Sequence, residues 1–308
     1  METEMFFFVV NPISGSGSAL KNWPRVRCRL RELGTPFEQQ FTDGPGHATR
    51  IVKDRLSQGY RNIVVVGGDG TVNEVVNGFF DEAGYTPPDA RLGLIPSGTG
   101  GDLVRTLGIP RLPTEALARL LQGQPRTLDV GRLTCSGPSG AKTERHFINI
   151  ADAGLGGETA ARVNRSSKAM GGFLCFLWSA LVTVLSYHNQ TATVVVDDNE
   201  PFPIALSIVA VANGQYFGGG MRIAPLAIPD DGCFDVVILH SISRGDLLRN
   251  LPRVYRGTHI NHPKLKILRG RTVRITSDTP LTIQADGEII GTLPAEFSIL
   301  PGVLKVVC

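Results

Sequence analysis

The chain is poor in cysteine, and the cysteines it has are not spaced to pair. Cys28, Cys135, Cys175, Cys233 and Cys308 are scattered over 308 residues, an odd number with no CxxC among them. That usage points to reduced thiols in a cytoplasmic protein. Net charge is also low: 31 basic against 28 acidic side chains leave +3. This balance gives no argument for nucleic acid as a partner and permits only weak attraction to an acidic membrane surface. A secretory leader is not expected, because Met1-Glu2-Thr3-Glu4 is acidic and Phe6 to Val10 reads as a buried first strand. The one long uncharged run, 171–187, falls short of the roughly 20 apolar residues a spanning helix needs. It is expected to be a buried or interfacial helix, and it is one place to look for lipid contact.

Several familiar signatures are missing as well. There is no GxxxxGK[ST] loop, since Gly140-Ala141-Lys142-Thr143 lacks the required glycines. No strand–GxGxxG–helix unit, protein-kinase catalytic string or GxSxG elbow occurs. The six histidines are scattered, and the one close pair, His259 and His262, has no other evident ligands around it.

What is present has a clear rhythm. A hydrophobic fraction of 42% supports a core in each half of the chain. The first part alternates strand and helix. Phe6–Val10, Phe37–Thr42, Ile63–Val66 and Leu92–Ile95 read as strands. Between them Leu20, Trp23, Val26 and Leu30, then Ala48, Ile51 and Leu56, then Val72, Val75 and Phe79 recur at helical spacing. Ile63–Val66 is continuously β-branched, as in a strand buried on both faces. Strand–helix alternation predicts a parallel sheet in a three-layer α/β domain. Ligand loops then fall at the carboxyl ends of the strands, where every glycine-rich cluster of this half lies. After Asp129 the pattern changes to short β-rich runs with frequent turns, interrupted by helical pieces near 157–187 and 243–256. A β-sandwich domain is expected there. The predicted division is 1–130 and 131–296; the pattern alone does not place the C-terminal strand near 297–308.

Gly67-Gly68-Asp69-Gly70-Thr71 carries the most chemical information. A buried strand ends in three glycines, a carboxylate and a hydroxyl, and a helix starts at once. Glycines admit close approach to phosphate oxygens, and the helix N-terminus offers free N–H groups and a favourable dipole. Thr71 is placed either to bond phosphate or to cap the helix. Asp69 makes sense beside phosphate if Mg²⁺ bridges them or if it orients an acceptor; a tight turn with an Asp cap is the plain alternative. Asn11-Pro12-Ile13-Ser14-Gly15 and Pro96-Ser97-Gly98-Thr99-Gly100-Gly101-Asp102 are comparable loops after neighbouring strands. In the second half, Asp230-Asp231-Gly232 suits either a hard cation or a solvated turn. Ala285-Asp286-Gly287-Glu288 ends a strand, with Glu288 a candidate general base or an exposed hairpin residue.

In this order and spacing the motifs resemble the diacylglycerol kinase catalytic family, in particular its soluble bacterial lipid kinases, which are related to sphingosine kinases. Asn213-Gly214, Gly218-Gly219-Gly220, Ala224-Pro225 and Asp231-Gly232 complete the likeness, which covers nearly the whole chain. The resemblance implies an NAD-kinase-like nucleotide domain followed by a β-sandwich, with the C-terminal strand near 297–308 returning to the first domain. It implies ATP held by Asn11, Pro12, Ser14, Gly15, Thr42, Gly67, Gly68, Asp69, Gly70, Thr71, Asn73 and Thr99. Asp69 would organise phosphate-bound Mg²⁺ and Glu288 would be the base. A structural Mg²⁺ is implied at Asp231, with the backbone oxygens of Ile228 and Cys233, and Asp102 and Asp129 would be supporting carboxylates. The implied reaction is γ-phosphoryl transfer to a membrane lipid hydroxyl, most simply that of diacylglycerol, giving phosphatidic acid. A sphingoid base or another lipid is the alternative acceptor. An NAD-kinase-like enzyme and an inactive nucleotide-regulated lipid-binding protein are the other readings. Peripheral contact with a membrane surface is expected; a homodimer is an expectation that no motif carries. One departure stands out: Gly101 replaces an asparagine common in the family's third loop.

Overall fold

The structure is a computed structural model, and it describes residues 5–81, 87–98, 100–137, 140–165, 178–179, 181–184 and 186–308. Most of the 171–187 run therefore lies outside the described residues. The chain divides into two compact units, Met1–Leu128 with Gly302–Cys308, and Asp129–Pro301.

The first unit contains β1 (Phe6–Val10), α1 (Ser14–Glu32), β2 (Phe37–Phe41), α2 (His47–Ser57), β3 (Asn62–Gly67), α3 (Asp69–Phe79), β4 (Arg91–Pro96), α4 (Asp102–Leu107) and α5 (Pro113–Gln122). Its strands are parallel in the order β4-β3-β1-β2. Lys305–Val307, the end of β14 (Glu288–Val307), pair in parallel with Arg91–Gly93 on the free side of β4. The two sheet faces are covered separately because consecutive strand residues point opposite ways. Phe8 packs on Trp23 of α1, in a core shared with Leu117 and Leu120 of α5. Phe7, one residue earlier, meets Arg55 of α2. Chain order reverses between β1 and β3: β2 lies outside β1, and β4 outside β3. That is a topological switch point, where the loops after β1 and β3 part and leave room for a ligand.

The second unit is a β-sandwich. It holds most of β5 (Pro125–Ser136), then β6 (Lys142–Phe147), β7 (Ile150–Gly154), α6 (Leu155–Arg165), β8 (Gln190–Val196), β9 (Phe202–Ala212) and β10 (Phe234–His240). There follow α7 (Arg244–Arg256), β11 (Leu265–Gly270), β12 (Thr272–Ser277), β13 (Thr282–Ala285) and most of β14. Strands β9 and β14 are joined by two routes, through β7 and β13 and through β8 and β12. Each therefore contributes to both layers. Between them lies an apolar core with Leu133, Val194, Val209, Val273 and Ile283. Phe147 stacks on Phe234 at 5.7 Å and meets Phe297 edge-on at 6.3 Å. Such geometry suits the ring quadrupoles.

Candidate active site

Three loops of the first unit converge at the switch point. The Asn11 amide donates to the Val66 carbonyl at 3.0 Å, which carries the first loop alongside the end of β3. Its side-chain Nδ2 donates to Thr71 Oγ1 at 2.8 Å. Thr71 is buried, so this hydroxyl joins the first loop to the second rather than facing solvent. Ser14 and Ser18 both reach the Ser97 carbonyl, Ser18 Oγ at 2.8 Å, which ties in the third loop. Gly15 also lies against that carbonyl. Thr42 follows β2 and donates its amide to Val10 at 2.9 Å. Gly70 is in the first turn of α3; Asn73, buried in the same helix, accepts from Asn77 Nδ2 at 2.8 Å through its carbonyl. Pro12 is in the first loop, and Thr99 lies outside the described residues.

The second and third loops touch backbone to backbone. A Cβ on Gly98 would stand 2.6 Å from Gly68 Cα, closer than real atoms come. Gly98 must be glycine for the loops to approach this far, and a Cβ on Gly68 would stand a tight 3.3 Å from Gly98 Cα. Gly68 has extended backbone and leads straight into α3, so the α3 N-terminus opens on this junction with N–H groups available to an anion.

Asp69 does not face outward. Its Oδ2 accepts from the Gly101 amide at 2.8 Å and its Oδ1 from the Asp102 amide at 3.1 Å. Enclosure pushes its carboxyl above the usual range, while the amides of Gly101, Leu103 and Asp102 and the Arg105 charge pull the other way. Although the residue as a whole is only half-buried, the carboxylate itself is surrounded by protein. Asp69 thus holds the N-terminus of α4. Asp102 pairs with Arg105 at 2.8 Å. Gly101 adopts a left-handed φ of 63°. Glycine and asparagine are the residues that reach this region most easily, and the bond to Asp69 uses the backbone. Replacing asparagine by glycine therefore preserves both the turn and its anchor.

In the second unit, Asp286 and Gly287 form the two-residue β13–β14 turn with φ of 50° and 89°, and Ala285 pairs with Glu288. Asp286 is structural. Its carboxylate accepts from the amides of Ile148 at 2.9 Å and of Asn149 and Ile150 at 3.0 Å. Glu288 is exposed beside this pinned turn. Asn213 Nδ2 donates to the Asp129 and Ile148 carbonyls at 3.0 and 2.8 Å. Asp129 Oδ2 accepts from the Gly232 amide at 2.7 Å, so Asp129 and the 230–232 turn are brought together.

The Asp231 set does not fit a bare cation. Arg269 Nη2 lies on Asp231 Oδ2, and the Cys233 amide donates to Oδ1 at 3.1 Å. The guanidinium already neutralises this carboxylate. Burial raises the neighbouring Asp235 carboxyl above its usual range, with the Arg269 charge opposing and the Asp231 charge adding to the rise. Among the described residues no group of three or more His, Cys, Asp or Glu side chains is placed to hold a metal.

Two contributors were not apparent from the sequence. Glu74 of α3 accepts from the Gly46 and Ala48 amides at 2.8 and 3.1 Å, fixing the start of α2. Asp152 is a lone carboxylate between alanines on β7, fully buried. A charge inside an apolar strand was the available signal.

Glycine-rich loops meeting at the switch point of a parallel sheet, with a helix N-terminus opening on them, define a phosphate-binding α/β protein. Residues 5–133 match the model of the diacylglycerol kinase catalytic domain, and 149–308 that of the YegS C-terminal NAD kinase beta sandwich-like domain. A diacylglycerol kinase of Bacillus subtilis (strain 168) is 30% identical over 94% of this chain and 91% of its own length. A solved candidate diacylglycerol kinase from Bacillus anthracis str. Sterne superposes with TM-score 0.79 at 24% identity, covering 100% of this chain and 98% of its own. Yeast NADH kinase complexed with NADH shares the fold more distantly, with TM-score 0.55, 11% identity, and coverage of 100% and 84%. The chain belongs to the diacylglycerol kinase catalytic family and is a kinase. Membership implies ATP use and places it among lipid kinases.

Proposed function

We propose that the protein transfers the γ-phosphoryl group of ATP to the hydroxyl of diacylglycerol, giving phosphatidic acid. The observation that carries this is the convergence of the three glycine-rich loops on the α3 N-terminus, within a chain whose full-length relatives are named diacylglycerol kinases. ATP phosphates would lie against the loops 11–15, 67–71 and 97–101, drawing on amides rather than on a lysine. Asp69 serves as a positioning residue, since both its oxygens hold the α4 amides. Mg²⁺ would arrive with the nucleotide and offset phosphate charge; no step here is assigned to a metal on Asp231.

Glu288 is the proposed base. It takes the proton of the acceptor hydroxyl as that oxygen bonds to the γ-phosphorus and the bond to the ADP oxygen breaks. Because the acceptor lives in a bilayer, we propose a cytoplasmic protein that touches the membrane peripherally. No helix among the described residues is long and apolar enough to cross one.

The test is transfer from labelled ATP to vesicles containing diacylglycerol, a sphingoid base or total lipid extract, with the product identified by mass. Labelled phosphatidic acid from diacylglycerol is expected, and its loss in Glu288→Gln. Labelling confined to the sphingoid base would transfer the assignment to that acceptor. Phosphorylation of NAD instead would overturn the lipid reading altogether.

A further inference from the structure

Asp152 and Gln284 face each other directly in the β7–β13 pairing. Both are buried. Gln284 Nε2 donates to Asp152 Oδ2. The other end of the same amide, Oε1, accepts from the Gly287 N–H at 2.7 Å. Gly287 immediately precedes Glu288. One planar amide therefore connects a buried carboxylate to the turn that carries the proposed base.

Direction matters in such a bridge. An amide has one donor end and one acceptor end. Gly287 presents an N–H, so only the oxygen of Gln284 can hold it; reversed, two donors would confront each other. A glutamine alone does not select its own orientation. The carboxylate opposite does, because an ionised Asp152 only accepts.

Among the described residues, Asp152 meets no cation. Its Oδ1 is buried without a hydrogen-bond partner. Ala210 is its neighbour on β9. The start of α6 contributes the Gly157 backbone, and among the described residues the titratable groups nearby are Glu158 of α6 and Tyr187, neither of them a cation. Glu158 Oε1 is engaged by Thr282 Oγ1 at 2.8 Å. Burial pushes the Asp152 carboxyl up to about 7, with Gln284 and then Gly157 opposing. The same surroundings push the Tyr187 hydroxyl up to about 12, through its burial and the charges of Glu158 and Asp152.

We propose that Asp152 and Gln284 are positioning residues for the phosphoryl transfer: Asp152 sets the direction of the Gln284 amide, and Gln284 locks the Asp286-Gly287 turn so that Glu288 is held in place for the acceptor proton. This rests on Glu288 being the base. Glu288 is exposed, and its backbone follows directly from Gly287, so its aim depends on how that turn is held. Asp286 anchors the other side of the turn to β7. When Asp152 takes up a proton it gains a donor, so the carboxyl no longer opposes the reversed amide and only the Gly287 N–H still does. Turnover then rises with pH as Asp152 ionises.

The experiment is a kinetic cycle with labelled ATP and diacylglycerol vesicles, using wild type, Gln284→Ala, Glu288→Gln, the double variant and Asp152→Asn. Gln284→Ala should lower kcat by roughly 10- to 100-fold with KM for ATP unchanged, the scale expected when a catalytic group is misplaced by about an ångström. In the Glu288→Gln background it should do nothing further. Asp152→Asn should remove the rise in kcat near neutral pH that wild type shows. Should Gln284→Ala fail to fold, the pH profile of Asp152→Asn still decides. Effects of Gln284→Ala and Glu288→Gln that multiply, or an unaltered pH profile in Asp152→Asn, would overturn the inference while leaving Glu288 as the base. Wild-type kcat in Glu288→Gln would remove the base assignment, and the inference with it.

Discussion

Asp152 lowers the stability of the fold as it ionises, and the sign follows from linkage. Its folded carboxyl titrates at about 7, whereas an unfolded aspartate titrates near 4. Between those values the folded state holds a proton that the unfolded state has released. Stability from this residue is therefore full below about pH 4, falls as pH rises to about 7 and is flat beyond. The difference amounts to an upper limit on the order of 4 kcal/mol. Wild type should lose stability relative to Asp152→Asn across that window in chemical denaturation; parallel curves from pH 4 to 8 would show that the carboxylate is better solvated than its burial indicates. Asp286 is the opposite case, a carboxylate satisfied by three amides. Asp286→Ala leaves those N–H groups without their acceptor and should cost about 2–4 kcal/mol, seen as a fall in Tm. A change under 1 kcal/mol would mean that solvent replaces it easily.

At the scale of loops and strands, Gly98 gives the sharpest expectation. Gly98→Ala sets a methyl against the Gly68 backbone, so the second and third loops must separate. KM for ATP should rise by about 10-fold or more, with smaller change in Tm. Unchanged nucleotide binding would show that the phosphate does not depend on this junction. Much of this region was readable beforehand. The β-branched run 63–66 and glycines after three strands located the sheet and the loop cluster. The Asp69 partners were not readable, because the amides of Gly101 and Asp102 lie more than thirty residues away and only folding brings them close. Strand β7 escaped notice for another reason. Ile150-Ala151-Asp152-Ala153-Gly154 has alanines and a carboxylate where strands favour β-branched residues, and its burial comes from tertiary packing. Helix α5 was not read from the sequence; it opens on Pro113, and proline suits a first helical turn. Arg269 on Asp231 pairs residues from different elements, beyond what local spacing reveals.

For the whole chain, the two units do not correspond to two contiguous segments. The first needs Gly302–Cys308 in addition to Met1–Leu128. Within it, Val307 belongs to the same core as Val64, Ile95 and Leu120. Removing 303–308 should strip β4 of its neighbour and lower the unfolding temperature of this unit by several degrees or more. An unchanged melting curve would mean that β4 is adequately covered without it. The family resemblance anticipated a returning strand; periodicity alone did not, because 297–308 shows a strand but no partner.

That returning strand has a bearing on biosynthesis. A nascent chain leaving the ribosome presents β1 to β4 early, yet the outer edge of β4 finds its partner only when Lys305–Val307 emerge. Until then a buried-type parallel strand has unpaired N–H and C=O groups along one side, a template for unwanted pairing. The interval between synthesis of Pro96 and of Val307 is thus one in which this edge of β4 is open to unwanted pairing.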